Sequence, residues 1–246
     1  MLKKLTLAIS AASAFGLSGF AAAESFDSPA GKFDVSMTAT LASDYIWRGQ
    51  SQTAGNGAIQ GSLDIAHESG LYAGVWASNV DDFAFPGNNG GANIEVDYYV
   101  GFAGSITEDI SYDLAWATYV WPEASVFNTD EILASVSAYG FTVGAKYAYD
   151  PQSKLYTYLA YEHELPYGIG LGLSYGQSDY KDPLNAGVDN GEKYDDWSVG
   201  LSKTLVGLDV SLTYTDTDIK SSTCTVWYGK DDYCDTNVTL AVSKSF

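Results

Sequence analysis

The chain is poor in positive charge. Of 246 residues only 12 are Lys or Arg, against 31 Asp and Glu, and Arg48 is the single arginine. Binding to nucleic acid needs a basic stripe, so that class of partner is excluded. Long apolar runs are missing too. Beyond the first two dozen residues nothing approaches the ~18 to 20 apolar residues of a membrane-spanning helix. Histidine and cysteine occur twice each, as His67, His163, Cys224 and Cys234. Total charge is low at 17%, yet 14% of the residues are aromatic, and acidic disordered chains show the reverse balance. The rings therefore need a surface that favours them.

What is present begins with an export signal. Lys3 and Lys4 precede an apolar stretch from Leu5 to Phe20 and a small-residue site at Ala21-Ala22-Ala23, so residues 1–23 read as a cleaved signal peptide. The expected mature chain, 24–246, is one domain with 10 basic against 31 acidic residues, a net charge of −21.

From Phe33 onward the chain alternates with period 2. Phe33, Val35, Met37, Ala39, Leu41, Tyr45 and Trp47 occupy one phase, with Asp34, Ser36, Thr38, Thr40, Asp44 and Arg48 in the other. Equivalent runs start near 59, 94, 110, 141, 169, 208 and 238. Less decisive runs at 71–80, 131–139, 155–163 and 197–203 bring the total to 12 predicted strands, those at 71 and 155 without an assigned facing. Tight turns (67–70, 104–109, 140, 164–168, 204–207) alternate with long polar connections (49–57, 81–91, 122–129, 178–194, 217–235). An even strand count, short turns on one rim and long loops on the other predict an all-β, antiparallel up-and-down transmembrane barrel in the outer membrane of a Gram-negative bacterium. A carboxylate in hydrocarbon costs kilocalories, so the aliphatic and aromatic phase faces lipid and the Gly/Ser/Thr/Asp phase faces the lumen. Phe246, ending an alternating strand, resembles the terminal aromatic that the outer-membrane assembly machinery recognises.

Three segments resemble the TorF-like porin family of proteobacterial outer-membrane proteins. They are Tyr45-Ile46-Trp47-Arg48-Gly49-Gln50-Ser51-Gln52-Thr53, Leu71-Tyr72-Ala73-Gly74-Val75-Trp76-Ala77-Ser78-Asn79-Val80 and Glu95-Val96-Asp97-Tyr98-Tyr99-Val100-Gly101. The resemblance implies an outer-membrane barrel and no particular substrate.

The inward phase carries nine strand carboxylates, Asp34, Asp44, Asp64, Glu95, Asp97, Asp113, Glu131, Glu162 and Asp209, against Arg48 and Lys146. Acidic walls lower the barrier for cations, so these residues are the selectivity candidates of a narrow passive channel for small solutes. Arg48 is expected at the end of the first strand, paired with Asp44 or with an acid across the barrel. The long loops hold Asp81, Asp82, Asp179, Asp182, Asp189, Glu192, Asp195, Asp196, Asp231, Asp232 and Asp235. An alternative function follows from them: a non-conducting barrel whose loops bind a partner, divalent cations or lipopolysaccharide. None has the spacing of a calcium loop. Cys224 and Cys234 lie in one loop of an exported chain and are expected to form a disulfide. No cofactor or metal is expected. The histidines fall at the short-turn rim, away from where an outer-leaflet lipid enzyme needs its base, and no G-x-S-x-G elbow occurs, so no enzymatic activity is expected.

Overall fold

A computed structural model describes residues 24–82, 84, 91–180 and 193–246. Residues 1–23 and the loop acids Asp182, Asp189 and Glu192 lie outside them. In chain order the first half contains β1 (Glu24–Ser28), β2 (Gly31–Ala42), β3 (Ile46–Trp47), β4 (Gln50–Ser51), β5 (Ala58–His67), β6 (Leu71–Asn79), β7 (Ile94–Ser105) and β8 (Ile110–Val120). The second half contains β9 (Thr129–Ala138), β10 (Phe141–Asp150), β11 (Lys154–Leu165), β12 (Ile169–Tyr180), β13 (Lys193–Leu205), β14 (Leu208–Thr217), helix α1 (Ser221–Tyr228) and β15 (Asn237–Ser245). Antiparallel pairing runs from β5 through β15, and β2 joins both ends, so β2 and β5–β15 form a closed 12-stranded barrel.

Facing follows the cost of burying charge. Leu41, Ile59, Val100, Leu114, Val143 and Leu240 project outward and are exposed, while the Ser, Thr, Gly and acidic phase turns inward. The two strands without a predicted facing take the same rule, with Tyr72, Trp76 and Ser78 of β6 and Tyr156, Tyr158 and Glu162 of β11 on the inner side. Inner tyrosines lie along the wall. A Cβ at Gly74, Gly101 or Gly144 would collide with the ring of Tyr99, Tyr72 or Tyr158, each the cross-strand partner of that glycine. Glycine thus gives each ring a flat seat and keeps it from filling the lumen.

At the short-turn rim, Tyr139-Gly140 and Val206-Gly207 take positive φ at both turn positions (54° and 85°, 49° and 78°), the geometry that matches a two-residue hairpin to strand twist. On the same rim β15 covers only the second half of β2, ending where the Phe246 N–H donates to the Met37 carbonyl at 2.9 Å. The first half of that edge is taken by β1, with Glu24 opposite Val35. The seam therefore has little unpaired edge.

Three expectations are corrected. The first strand does not run to Trp47 but leaves the wall after Ala42, and Arg48 is a turn residue rather than a strand end. The alternation of β13 begins at Lys193, which puts Asp195 and Asp196 on the wall rather than in a loop. The connection after β14 is also more than a polar loop. It contains α1, closed by Gly229 in the left-handed region with its N–H on the Thr225 carbonyl.

Candidate functional site

Residues 43–57 fold into the barrel. Asp44 draws this segment together by accepting from Ser51 Oγ at 2.7 Å, Thr53 Oγ1 at 2.6 Å and, from β15, Asn237 Nδ2 at 2.6 Å. The hairpin β3–β4 that follows turns at Arg48 and Gly49, both at positive φ (49° and 80°). Its tip presses on the opposite wall. A Cβ at Gly49 would stand 2.8 Å from the Cβ of Asp196 and 3.0 Å from that of Thr217, so close approach as well as backbone conformation calls for glycine.

Arg48 extends from this tip to Glu131 on β9. Its Nη2 donates to Oε1 and Oε2 at 2.8 and 2.7 Å, with both side chains almost wholly buried. The Tyr119 hydroxyl donates to the same carboxylate at 3.1 Å. Rings of Trp47 and Tyr156 flank the guanidinium at 4.1 and 4.5 Å, an arrangement suited to its planar, weakly hydrated cation. Lys154 completes the belt. It lies over Trp47 and Tyr180 at 4.6 and 4.5 Å and donates to the Tyr180 hydroxyl at 3.0 Å.

Above the hairpin, on the long-loop side, an aromatic lid rests on Gln50. The amide of Gln50 donates to the Tyr194 hydroxyl, and its carbonyl oxygen accepts from Tyr228 of α1. Trp227 packs edge-on to Tyr194, and Tyr233 stacks on Tyr228 with centroids 4.9 Å apart. The Cys224–Cys234 disulfide ties α1 to the segment carrying Tyr233. Tyr233 donates to Asp81 at 3.0 Å, and its burial beside that carboxylate pushes the phenol pKa upward.

Below the hairpin lies a cavity of about 560 Å³. Its wall carries Asp64, Asp113, Glu162 and Asp209 near the short-turn ends of their strands. The hydrogen-bond donors of three of them are neutral: Tyr99 and Ser62 for Asp64, Tyr72 for Asp113 at 2.8 Å and Thr204 for Asp209 at 2.6 Å. Among the described residues none of the four has a basic partner. Lys146, Arg48 and Asp196 line the same cavity.

The structure thus divides the sequence candidates into tiers. Asp64, Asp113, Glu162, Asp209, Asp44, Arg48 and Lys146 border the cavity, whereas Glu95, Asp97 and Glu131 are buried at hairpin level. Asp34 departs from expectation. It is half-exposed at the rim, beside Lys32 at 3.8 Å and the Ser25 hydroxyl of β1. Of the two pairings expected for Arg48, the structure has the one across the barrel, with Glu131, because the inward fold carries the guanidinium there and leaves Asp44 to Ser51, Thr53 and Asn237. Two charged wall residues were missed. Lys154 and Asp196 stand in phase with Tyr156–Tyr158 and Ser198–Gly200, so extending each alternation by two residues finds both.

His67 and His163 sit at the rim. The His67 ring contacts the Ser69 hydroxyl at 2.7 Å, but its other nitrogen faces the Ala30 carbonyl at 2.9 Å rather than a carboxylate. His163 stacks with Tyr161.

The fold has solved relatives. It is similar to the structure named KdgM porin, with a TM-score of 0.51 at 9% identity, covering 86% of this chain and 99% of that one. LpxR from Salmonella typhimurium gives 0.46 at 10% identity, covering 86% and 99%. OccAB3 of Acinetobacter baumannii gives 0.42 at 11%, covering 87% and 64%. At such identities the likeness shows the fold alone: a closed barrel of the outer-membrane porin kind. No curated protein matches the sequence. Residues 26–246 match the family described as "Bacterial protein of unknown function (Gcw_chp)", and with nearly all of the expected mature chain covered, this protein belongs to that family.

Proposed function

We propose that this barrel is a narrow passive channel of the outer membrane, preferring cations and passing small solutes. The observation that carries the reading is the cavity wall, where Asp64, Asp113 and Asp209 face the lumen with neutral donors only and Glu162 faces it without a basic partner among the described residues. Uncompensated carboxylates in a confined, low-dielectric space attract cations and repel anions. The β3–β4 hairpin makes the constriction, held by one ion pair and by hydrogen bonds. The TorF-like resemblance of the hairpin segment supports a porin role. Residues 1–23 act as the signal peptide, and Phe246 as the assembly signal.

Planar-bilayer recording across a salt gradient tests this. The expected result is a small conductance whose reversal potential shows cation selectivity; absence of conductance, or anion selectivity, overturns it. A second reading, a sealed barrel acting through its outer loops, draws support from the buried hairpin and the lid above it. It expects ion-tight proteoliposomes from the intact protein and leaky ones when residues 46–51 are replaced by a short glycine-serine link.

A further inference from the structure

The tips of the short turns differ around the rim. Between β9 and β14 three successive hairpins end in Tyr139-Gly140, Pro166-Tyr167-Gly168 and Val206-Gly207. Tyr139 and Tyr167 are 74% and 88% exposed, and Val206 is fully exposed. All three take positive φ (54°, 70° and 49°), a region that Gly, Asn and Asp enter readily and that a bulky or β-branched residue rarely does. Turn geometry alone therefore favours a small polar residue at each tip. Elsewhere on the rim the turns are polar: Glu68 and Ser69 are exposed between β5 and β6, and Glu108 and Asp109 stand beside Ile106 between β7 and β8.

The apolar tips continue the lipid-facing wall. Leu205 pairs with Leu208 next to Val206, Ala138 with Phe141 next to Tyr139, and Leu165 with Ile169 next to Tyr167. On β14 the outward phase runs from Asp216 to Leu208, eight residues. At about 3.4 Å per residue and a tilt of roughly 40°, that is about 21 Å along the barrel axis, short of the ~25 Å apolar band of an outer-membrane barrel. The tip residues supply the remainder. Lysines mark the depth: Lys203 alternates with exposed Val199, Leu201 and Leu205, and Lys244 with exposed Val238 and Leu240. Lys244 Nζ donates to the Gly207 carbonyl at 2.9 Å, level with the Val206 tip. An ammonium at that height suits the headgroup layer rather than the hydrocarbon.

We propose that the β9–β14 sector of the short-turn rim is a lipid-docking surface. Tyr139, Tyr167 and Val206 sit at the boundary between acyl chains and headgroups of the adjacent leaflet, and Lys203 and Lys244 contact its anionic phosphates. The remaining turns, with Glu68, Glu108 and Asp109, stay in water, so the barrel leans toward β9–β14. Continuity with the outward wall and the two lysines select a phospholipid surface as the occupant, because the same apolar phase that meets lipid along each strand runs without a break onto the tips. The inference is independent of what, if anything, the barrel conducts.

The test uses the full mature chain in vesicles of phosphatidylethanolamine and phosphatidylglycerol. Both native cysteines are held in the disulfide, so a nitroxide label attaches only to an introduced one, in Tyr139→Cys, Tyr167→Cys, Val206→Cys or, for contrast, Ser69→Cys. Collisions with oxygen, which concentrates among acyl chains, are compared with collisions with a water-soluble nickel chelate. The expected ratio of oxygen to nickel accessibility is several-fold higher at the three apolar tips than at the Ser69 position. Nickel-dominated labels at the tips, equal ratios at all four sites, or shielding from both probes, as a second copy of the chain or another protein would give, overturn the inference. Lys203→Gln with Lys244→Gln should lower the ratio at the Val206 position, and an unchanged ratio overturns the phosphate contact. In the unaltered protein, a phospholipid carrying a diazirine near its glycerol should label the peptides containing Tyr139, Tyr167 and Val206 several-fold more than the one containing Ser69. Even labelling, read by mass spectrometry, overturns the inference whatever the variants do.

Discussion

Replacing Glu131 by Gln tests the constriction most directly. Glu131 accepts both close contacts from Arg48 Nη2, and both side chains are almost fully buried. Removing one member of a buried ion pair typically costs about 3–5 kcal/mol, because the remaining charge stays desolvated. Gln retains an oxygen for one hydrogen bond, and the Trp47 and Tyr156 rings still flank the guanidinium, so the lower figure applies. About 3 kcal/mol taken from the inserted hairpin shifts its equilibrium with a displaced arrangement by roughly 100-fold. The closed barrel loses no ladder bond. Single-channel recording of Glu131→Gln should show more frequent and larger openings than the parent, with unchanged heat-dependent migration on SDS gels reporting an intact barrel. The paired replacement Arg48→Met with Glu131→Leu removes both charges and should return openings toward the parental level. If Glu131→Gln records like the parent while the barrel remains folded, the ion pair does not hold the constriction.

Other consequences follow from the same geometry. Replacing Asp64, Asp113 and Glu162 together by Asn, Asn and Gln should lower the cation-to-anion permeability ratio several-fold, read from reversal potentials, with the effect shrinking as salt screens the wall. Changing Cys224 and Cys234 to Ser releases a ten-residue loop closure worth about 2–3 kcal/mol; limited proteolysis of intact cells or proteoliposomes should then cut near α1 faster, without loss of the barrel. Gly144→Ala places a methyl against the Tyr158 ring and should destabilise the barrel by about 1–3 kcal/mol through overpacking, measured by urea unfolding in detergent. Deleting Phe246 removes the paired backbone contact with Met37 and should reduce the amount of folded protein in outer-membrane fractions.

The barrel was legible because a membrane punishes misplaced charge one residue at a time. Period 2, the even strand count and the alternation of short and long connections are local properties, and each survives in the structure with small shifts of boundary. The hairpin was not legible. Ser43 to Arg48 continue the alternation of the first strand, and nothing in spacing alone says that the chain leaves the wall after Ala42. That departure depends on donors gathered from distant segments, such as Asn237 for Asp44 and Glu131 for Arg48. Asp34 shows the same limit in reverse: its phase is inward, but its height on β2 places it at the rim beside Lys32.

By itself the sequence determined the barrel, its inside and outside, the acidity of its lumen and the cysteine pair, because periodicity and transfer cost act within each strand. Only the tertiary structure decided which charges meet. Barrel closure brings β9, β11 and β13 around one hairpin tip, pairs the lone arginine with Glu131, and leaves four carboxylates below it without a basic partner among the described residues. Strand tilt and curvature set those distances, and they belong to the closed sheet rather than to any segment of the chain.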